Sequence, residues 1–480
     1  MPRNLPWAFV ALFAQIGLLL SSGAASLHAA TINVGPSDCS AATINSAIAA
    51  STTHDGDTVL LTCKGTVNWA STVTIPDTKG ITLQVQGASN ANKASPTFPL
   101  IITTSSGATA IVVTVGANHA VSRVSGFRFA PNTGTSDPFF EVTGAGTGTS
   151  GVGGFRIDNN YFDTISGNRM FAVWAGRSGA TGSLYGLIDN NTFHNTHRAN
   201  DEGYGPYNIQ IWDYWHPSGS NQCWGCDGWT SNDFAYGNAN EVFVEDNLFE
   251  QTATAPGHMR HYISAELGAR YVSRHNTFIN NYPDNNADLH DAHGLCLVSS
   301  NGVGTRGGEI YANTITGSGY DRAMQIRGGS WLIYDNVITS GGGAPIEFDE
   351  YRADGGGECA TTNNLGSMPS WPVPVGAQWS ANAPWRASVS DASAWQLPQQ
   401  IFNTFVWNNT TPSGALINPT SPTALERSYI QNNRDYFAAA TKPAGISSYA
   451  PYTYPHPLQG GGGGSGSVPA TPTGLTATVR

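Results

Sequence analysis

The sequence predicts an all-β solenoid, a chain wound into stacked coils whose strands run parallel. Three observations predict it. A short motif returns along the chain: IDNNYF at 157–162, IDNNTF at 188–193, VEDNLF at 244–249, SRHNTF at 273–278, IYANTI at 310–315 and IYDNVI at 333–338, with FVWNNT at 405–410 as a late variant. Short β-type runs such as MFAVWA (170–175), YNIQIW (207–212), AMQIR (323–327) and WLIYDNVI (331–338) lie between Gly-rich turns. No long amphipathic helical pattern recurs between them, which argues against strands alternating with helices.

The motif is read coil by coil. Neighbouring copies lie about 23 to 37 residues apart, the range of stacked repeat units, and longer gaps hold insertions. If one repeat is one coil, equivalent positions stack at about 4.8 Å. The repeated Phe or Ile then forms an internal apolar stack. The repeated Asn forms a ladder at a tight bend, since its amide both donates and accepts and its backbone tolerates left-handed angles. Asn160, Asn191, Asn247, Asn276, Asn313 and Asn336 are the expected ladder, a structural role and not a catalytic one. The helix also needs an end: SAIAA (46–50) is expected to be a short amphipathic cap, with the first strand at Thr58–Thr62.

Composition bounds the function. Of 480 residues, 40% are apolar, enough for a core, while only 11% are charged. The formal charge of −11, with no basic stripe, speaks against nucleic acid or an anionic membrane as partner. Residues 1–30 read as a signal peptide: Arg3, an apolar run Trp7–Leu20 too short to span a membrane, and small residues over Ser21–Ala30. An exported chain meets an oxidising compartment, so the six cysteines are expected to pair as 39–63, 223–226 and 296–359, although spacing does not determine connectivity. Cys223 and Cys226 form a CxxC; without a second CxxC or a βαβ context, a zinc or redox centre there is the weaker reading.

At this point the chain resembles the right-handed parallel β-helix proteins of the pectate-lyase-like superfamily. The Asn-x-Phe/Ile ladder carries the resemblance, with RYVSRHNTFIN (270–280), GEIYANTITG (308–317) and RAMQIRGGSWLIYDNVI (322–338). It implies a right-handed single-stranded β-helix over residues 31–458, closed by NRDYF (433–437) and YAPYTYPHPL (449–458). Ser370–Gln399, rich in Trp and Pro, is expected to be a long loop packed on the side. Residues 459–467 read as a Gly/Ser linker, and VPATPTGLTATV (468–479) resembles the first strand of a fibronectin type III domain. The resemblance implies little about activity, because the superfamily holds lyases, hydrolases, esterases and non-catalytic fibres.

Candidate chemistry comes from columns on one outer face. With HYISAE (261–266), HGLCLVSS (293–300), RAMQIR (322–327) and PIEFDE (345–350) set side by side, His261, His293 and Arg322 fall in one column. Glu266, Arg327 and Glu350 fall in a second, beside Asp349. A one-residue slip would exchange faces. Such a set suits β-elimination on an acidic polysaccharide. His261 or His293 would remove the proton α to the uronate carboxyl, and Arg322 or Arg327 would hold that carboxylate. Ca²⁺ held by Asp284, Asp288, Asp291 or Glu266 would serve the same end, from the loop NYPDNNADLHDAH (281–293). Hydrolysis with Glu266 facing Asp349 or Glu350 is the second chemical reading. A plain salt-bridge ladder is the structural alternative. Trp174 and Trp212 occupy matching places and are expected to stack as a sugar-binding shelf, with Trp215, Trp224 and Trp229 in the insertion that follows. No P-loop, HExxH or GxSxG is present. The expectation is a secreted or cell-surface monomer that binds and cleaves polysaccharide; its rival is a non-catalytic fibre or adhesin.

Overall fold

The computed structural model describes residues 29–105, 108–130, 138–144, 152–163, 169–174, 183–195, 207–212, 236–252, 259–266, 269–282, 287–293, 305, 307–339, 343–349, 401, 403–422, 427 and 430–460. Among the described residues, three sheets of twelve, nine and nine strands stack coil upon coil. The first begins at Thr31–Val34 and ends at Tyr436–Ala439, the second runs from Gly65–Trp69 to Val337–Ile338, and the third from Val73–Ile75 to Ala344–Phe348. The chain visits them in turn, and each strand pairs in parallel with its counterpart one coil away. Val152–Asp158 pairs in this way with Ser183–Asp189, Thr192–Asn195 with Leu248–Gln251, and Arg270–Arg274 with Gly307–Tyr311. This is a right-handed parallel β-helix, wound so that the three inner faces enclose one continuous apolar core.

The bend between the first and second sheets carries the ladder. Asn160 is fully buried, and its backbone N–H and its Nδ2 both donate to Asn191 Oδ1, at 2.9 and 3.0 Å. The same pair of bonds joins Asn191 to Asn247, Asn247 to Asn276, Asn276 to Asn313, Asn313 to Asn336 and Asn336 to Asn409. Each amide also donates to a backbone carbonyl of the preceding coil, such as Val244 from Asn276. The left-handed residue is the one before each ladder Asn, not the Asn itself: Asn159, Asn190, Asp246, His275, Ala312, Asp335 and Asn408 have φ between 50 and 57°. The turn thus divides its two demands between adjacent residues. Inside the bend, Phe162, Phe193, Phe249 and Phe278 stack with centroids 4.9, 4.8 and 4.7 Å apart and nearly parallel rings. Ile315 and Ile338 continue the column. Burying each such ring contributes roughly 1.5–3 kcal/mol.

A helix at Ala41–Ala49 covers the N-terminal end, capped by Ser40 and buried through Ala41, Ile44 and Ile48. It packs on Thr31–Val34, Thr58–Leu61 and Val73–Ile75. The first strand is therefore Thr31–Val34, ahead of the helix, and Thr58–Leu61 is the second. Val34 is the single buried side chain of that edge strand, so its apolar pattern is weak. Cys39 and Cys63 form a disulfide across the cap. Cys223, Cys226, Cys296 and Cys359 lie outside the described residues, as do residues 1–28, 351–400 and 461–480.

The C-terminal segment crosses the outer face of the first sheet. Tyr449, Tyr452 and Leu458 pack on Leu187, Phe243, Val272, Tyr311, Leu332, Tyr334 and Trp407. Beneath it lie the ion pairs Arg156–Asp189 and Arg274–Glu245, at 2.9 and 2.6 Å. Arg274 also donates to the carbonyls of Tyr452 and Thr453, and Arg156 to that of Leu458. Burial, with Arg274 and Arg156 nearby, drives His456 down to about 3. Among the described residues no helix is long and apolar enough to cross a membrane.

Candidate active site

Strand pairing in the third sheet sets which side chains meet. Arg169, Tyr207, His261, Asp288, Arg322 and Ala344 stand in one outward column. Ala172, Gln210, Ser264, Asp291, Gln325 and Glu347 form the next. The third holds Trp174, Trp212 and Glu266, and the backbone bonds of His293 to Ala265, Arg327 to Ala292 and Asp349 to Ile326 continue it through those three residues.

This register corrects the sequence alignment of the columns. His261 and Arg322 do share a column, but its intervening member is Asp288. His293 stands with Glu266, Arg327 and Asp349. The strand between them is Ala287–Ala292, not the apolar run from His293 onward, so Asp288 and Asp291 are strand residues and not members of a loop. The run ADLHDA hides its strand character because two outward carboxylates and an inward histidine replace the usual alternation. His290 points into the core: it is fully buried, meets Ser273 Oγ at 2.9 Å and packs edge-on against Phe278. Burial drives it down to about 4.

The three coils bring the charged groups together. Arg322 meets Asp288 at 3.1 Å and Asp321 at 2.7 Å, and also pairs with Glu347. Arg327 pairs with Asp291 Oδ1 through Nε and Nη2. The other oxygen, Asp291 Oδ2, lies 2.6 Å from His293 Nε2 and 3.2 Å from His261 Nδ1. Asp288 lies 3.6 Å from the same His261 nitrogen. Gln325 donates to Asp349. Arg322 keeps about a quarter of its side chain exposed, whereas Asp291 is fully buried. Burial pushes Asp288 up to about 7, with Asp291 adding to the rise. Burial acts on Asp291 as well, but the positive charge beside it, that of Arg327 first, outweighs burial and holds its carboxyl well below the usual range. Burial drives His261 down to about 3, so this imidazole is neutral.

Trp174 and Trp212 stack at 5.5 Å, on the same column as His293 and Arg327 and toward the N-terminal end of it. The Arg169 guanidinium lies over Trp212 at 4.6 Å. Asp284 and Glu350 lie outside the described residues, as do Trp215, Trp224 and Trp229; of the Glu266 side chain nothing is described. Gln325, Glu347 and Asp321 belong to the cluster and were not anticipated; their signal was the register itself, which places them beside Asp291 and Arg322.

Among the described residues, His261, Asp291 and His293 could hold a metal, their donor atoms all lying within 4.8 Å of one another. Two imidazoles in the set depart from the all-oxygen environment expected for Ca²⁺.

No protein-family model matches the chain, and no curated protein matches it. Among solved structures it is similar to an alginate lyase from Paenibacillus sp. str. FPU-7, at 14% identity and a TM-score of 0.33, over 65% of this chain and 97% of that one. A mannuronic acid specific polysaccharide family 6 lyase from human gut microbiota is similar at 12% identity and a TM-score of 0.29, over 87% and 93% of the two chains. A PL6 family alginate lyase, solved as an arginine-to-alanine mutant, is similar at 13% identity and a TM-score of 0.31, over 89% and 57%.

Proposed function

We propose that this chain cleaves an acidic polysaccharide by β-elimination at the third sheet. The observation that carries the reading is the convergence of Arg322, Arg327, His261 and His293 on the outer face of three successive coils, in line with the Trp174–Trp212 stack. A uronate lying along this face would set its carboxylate against Arg322, the more exposed of the two arginines. His293, faced by Asp291, would take the α-proton. His261 is the weaker base, since burial holds it so far down. Arg327 would act through Asp291, keeping that carboxylate charged and aimed at the imidazoles. Of the two indoles Trp174 is buried, so Trp212, the less buried, is the one an apolar sugar face would meet. The Cys39–Cys63 bridge supports an oxidising, extracytoplasmic setting.

Hydrolysis is the second reading, favoured by the split between Asp288, pushed up, and Asp291, held down. The test is a screen of acidic and neutral polysaccharides that reads new reducing ends and the absorbance of new double bonds. Elimination yields both, and hydrolysis yields reducing ends alone. On the polymer so identified, Arg322→Lys should lower turnover at least about tenfold with little change in melting temperature, because an ammonium lacks the planar two-point contact. Unchanged turnover in that variant would remove the arginine from the mechanism. No activity on any polymer from a folded protein would leave the fibre reading.

A further inference from the structure

Three buried side chains in the cluster meet with polar atoms left unpaired. Among the described residues, His261 Nδ1, Asp291 Oδ2 and both ring nitrogens of His293 have no hydrogen-bond partner, although all three residues are more than nine-tenths buried. They face one another: His261 Nδ1 and His293 Nε2 approach the same carboxylate oxygen at 3.2 and 2.6 Å without the alignment of a hydrogen bond. An unpaired buried polar atom is costly, and here several such atoms converge on one point.

We propose that His261, Asp291 and His293 form a binding site for a divalent transition cation of the Zn²⁺ type, and that its occupation blocks proton transfer at this site.

The donor set selects the cation. Two imidazole nitrogens and one carboxylate oxygen suit Zn²⁺, Co²⁺ or Ni²⁺, whereas Ca²⁺ requires a shell of oxygens. Metal–ligand bonds of about 2.0–2.2 Å place neighbouring donors roughly 3.3–3.6 Å apart in a tetrahedral site. The His261–Asp291 separation of 3.2 Å is close to this, and the His293–Asp291 contact, at 2.6 Å, needs to open by roughly 0.7–1 Å. The second oxygen of Asp291 is taken by Arg327, which fixes the carboxylate and leaves Oδ2 for the cation. Arg322 and Arg327 oppose a dication, but Asp288 and Asp291 both approach His261 Nδ1, and Arg322 is itself paired with Asp288 and Glu347. The blocking half rests on the proposed lyase reading: an imidazole nitrogen bound to metal has no lone pair left to take the α-proton.

The experiment uses the full chain, stripped with chelator and dialysed. Zn²⁺ binding is measured by isothermal titration calorimetry, and Co²⁺ binding by its visible absorption, with Ca²⁺ in parallel. The expected result is one tight Zn²⁺ site per chain, a Co²⁺ spectrum of low coordination number, and no competition from Ca²⁺. His293→Ala and Asp291→Asn should weaken binding more than about tenfold. Where a variant fails to fold, the Co²⁺ spectrum of the wild-type chain decides. Absence of a tight site, binding that survives His293→Ala in a folded chain, or preference for Ca²⁺ would overturn the site. In the activity arm, one equivalent of Zn²⁺ should abolish turnover on the polymer identified by the screen. Activation instead would overturn the blocking half and the proton-carrying role of the imidazoles, while leaving the site in place. Loss of the lyase reading would leave the binding measurement untouched.

Discussion

Asn247→Ala tests whether the amide column holds the coils together. In the native chain Asn247 Oδ1 accepts from the Asn191 backbone N–H at 2.9 Å and from Asn191 Nδ2 at 3.1 Å. Its own Nδ2 donates to the Ile188 carbonyl, the Glu245 carbonyl and Asn276 Oδ1. Alanine removes all of these bonds. The Asn191 N–H, fully buried, is left with no acceptor, and the Ile188 carbonyl loses its side-chain donor. Asn191 Nδ2 still donates to Ile157, so its loss is partial. One stranded buried donor costs about 1–3 kcal/mol, and this sets the expected loss. Equilibrium unfolding in urea, followed by far-ultraviolet circular dichroism, measures it. Thr314→Ala, an exposed change on the same edge of the second sheet, should stay within about 0.5 kcal/mol and serves as control. Asn247→Asp should cost no less than alanine, because it keeps the acceptor for Asn191 but sets a carboxylate oxygen against Asn276 Oδ1. A loss for Asn247→Ala no larger than that of the control would refute the ladder as a source of stability.

Two further predictions concern the disulfide at the N-terminal end and the buried histidines. Replacing Cys39 and Cys63 together by Ser opens a bridge of sequence separation 24 and should lower stability by about 3 kcal/mol; an unchanged melting temperature under reducing conditions would count against it. Stability should also fall on acidification. His456 and His290 are held near 3 and 4, below the ordinary 6.5, because burial penalises the charged ring. The unfolded chain takes up these protons as pH drops below about 6.5 while the folded chain does not, so their contribution is complete above that value and declines toward about pH 4. His456→Gln should flatten the dependence of melting temperature on pH between about 7 and 5, and an identical slope in the variant would refute this assignment.

Much of the fold was legible because repetition of residue identity is a one-dimensional record of stacking. The same Asn returns once per coil because each amide needs an amide above and below it, and the same Phe returns because the bend leaves room for one ring. No knowledge of the distant contacts is needed to read either. The helix cap was legible in outline, but the edge strand Thr31–Val34 was not, since one buried Val is too little pattern to mark a strand.

The columns of the candidate site are another matter. Apart from Trp174 and Trp212 their strands share no repeated residue, so little in the sequence marks which position faces which. His261, Arg322 and Arg327 could be picked out by type, and Trp174 and Trp212 by their matching places. Only the folded register put Asp288 between His261 and Arg322, Asp291 between two imidazoles and Arg327, and His290 inside the core. The physical reason is that side-chain direction in a strand depends on a phase set by hydrogen bonds to the neighbouring coil. Where a repeated residue marks that phase, as in the Asn bend, sequence alone determines the neighbours. Where charge and burial are balanced among residues from different coils, as around Asp291, the neighbours and the protonation they impose exist only in the tertiary structure.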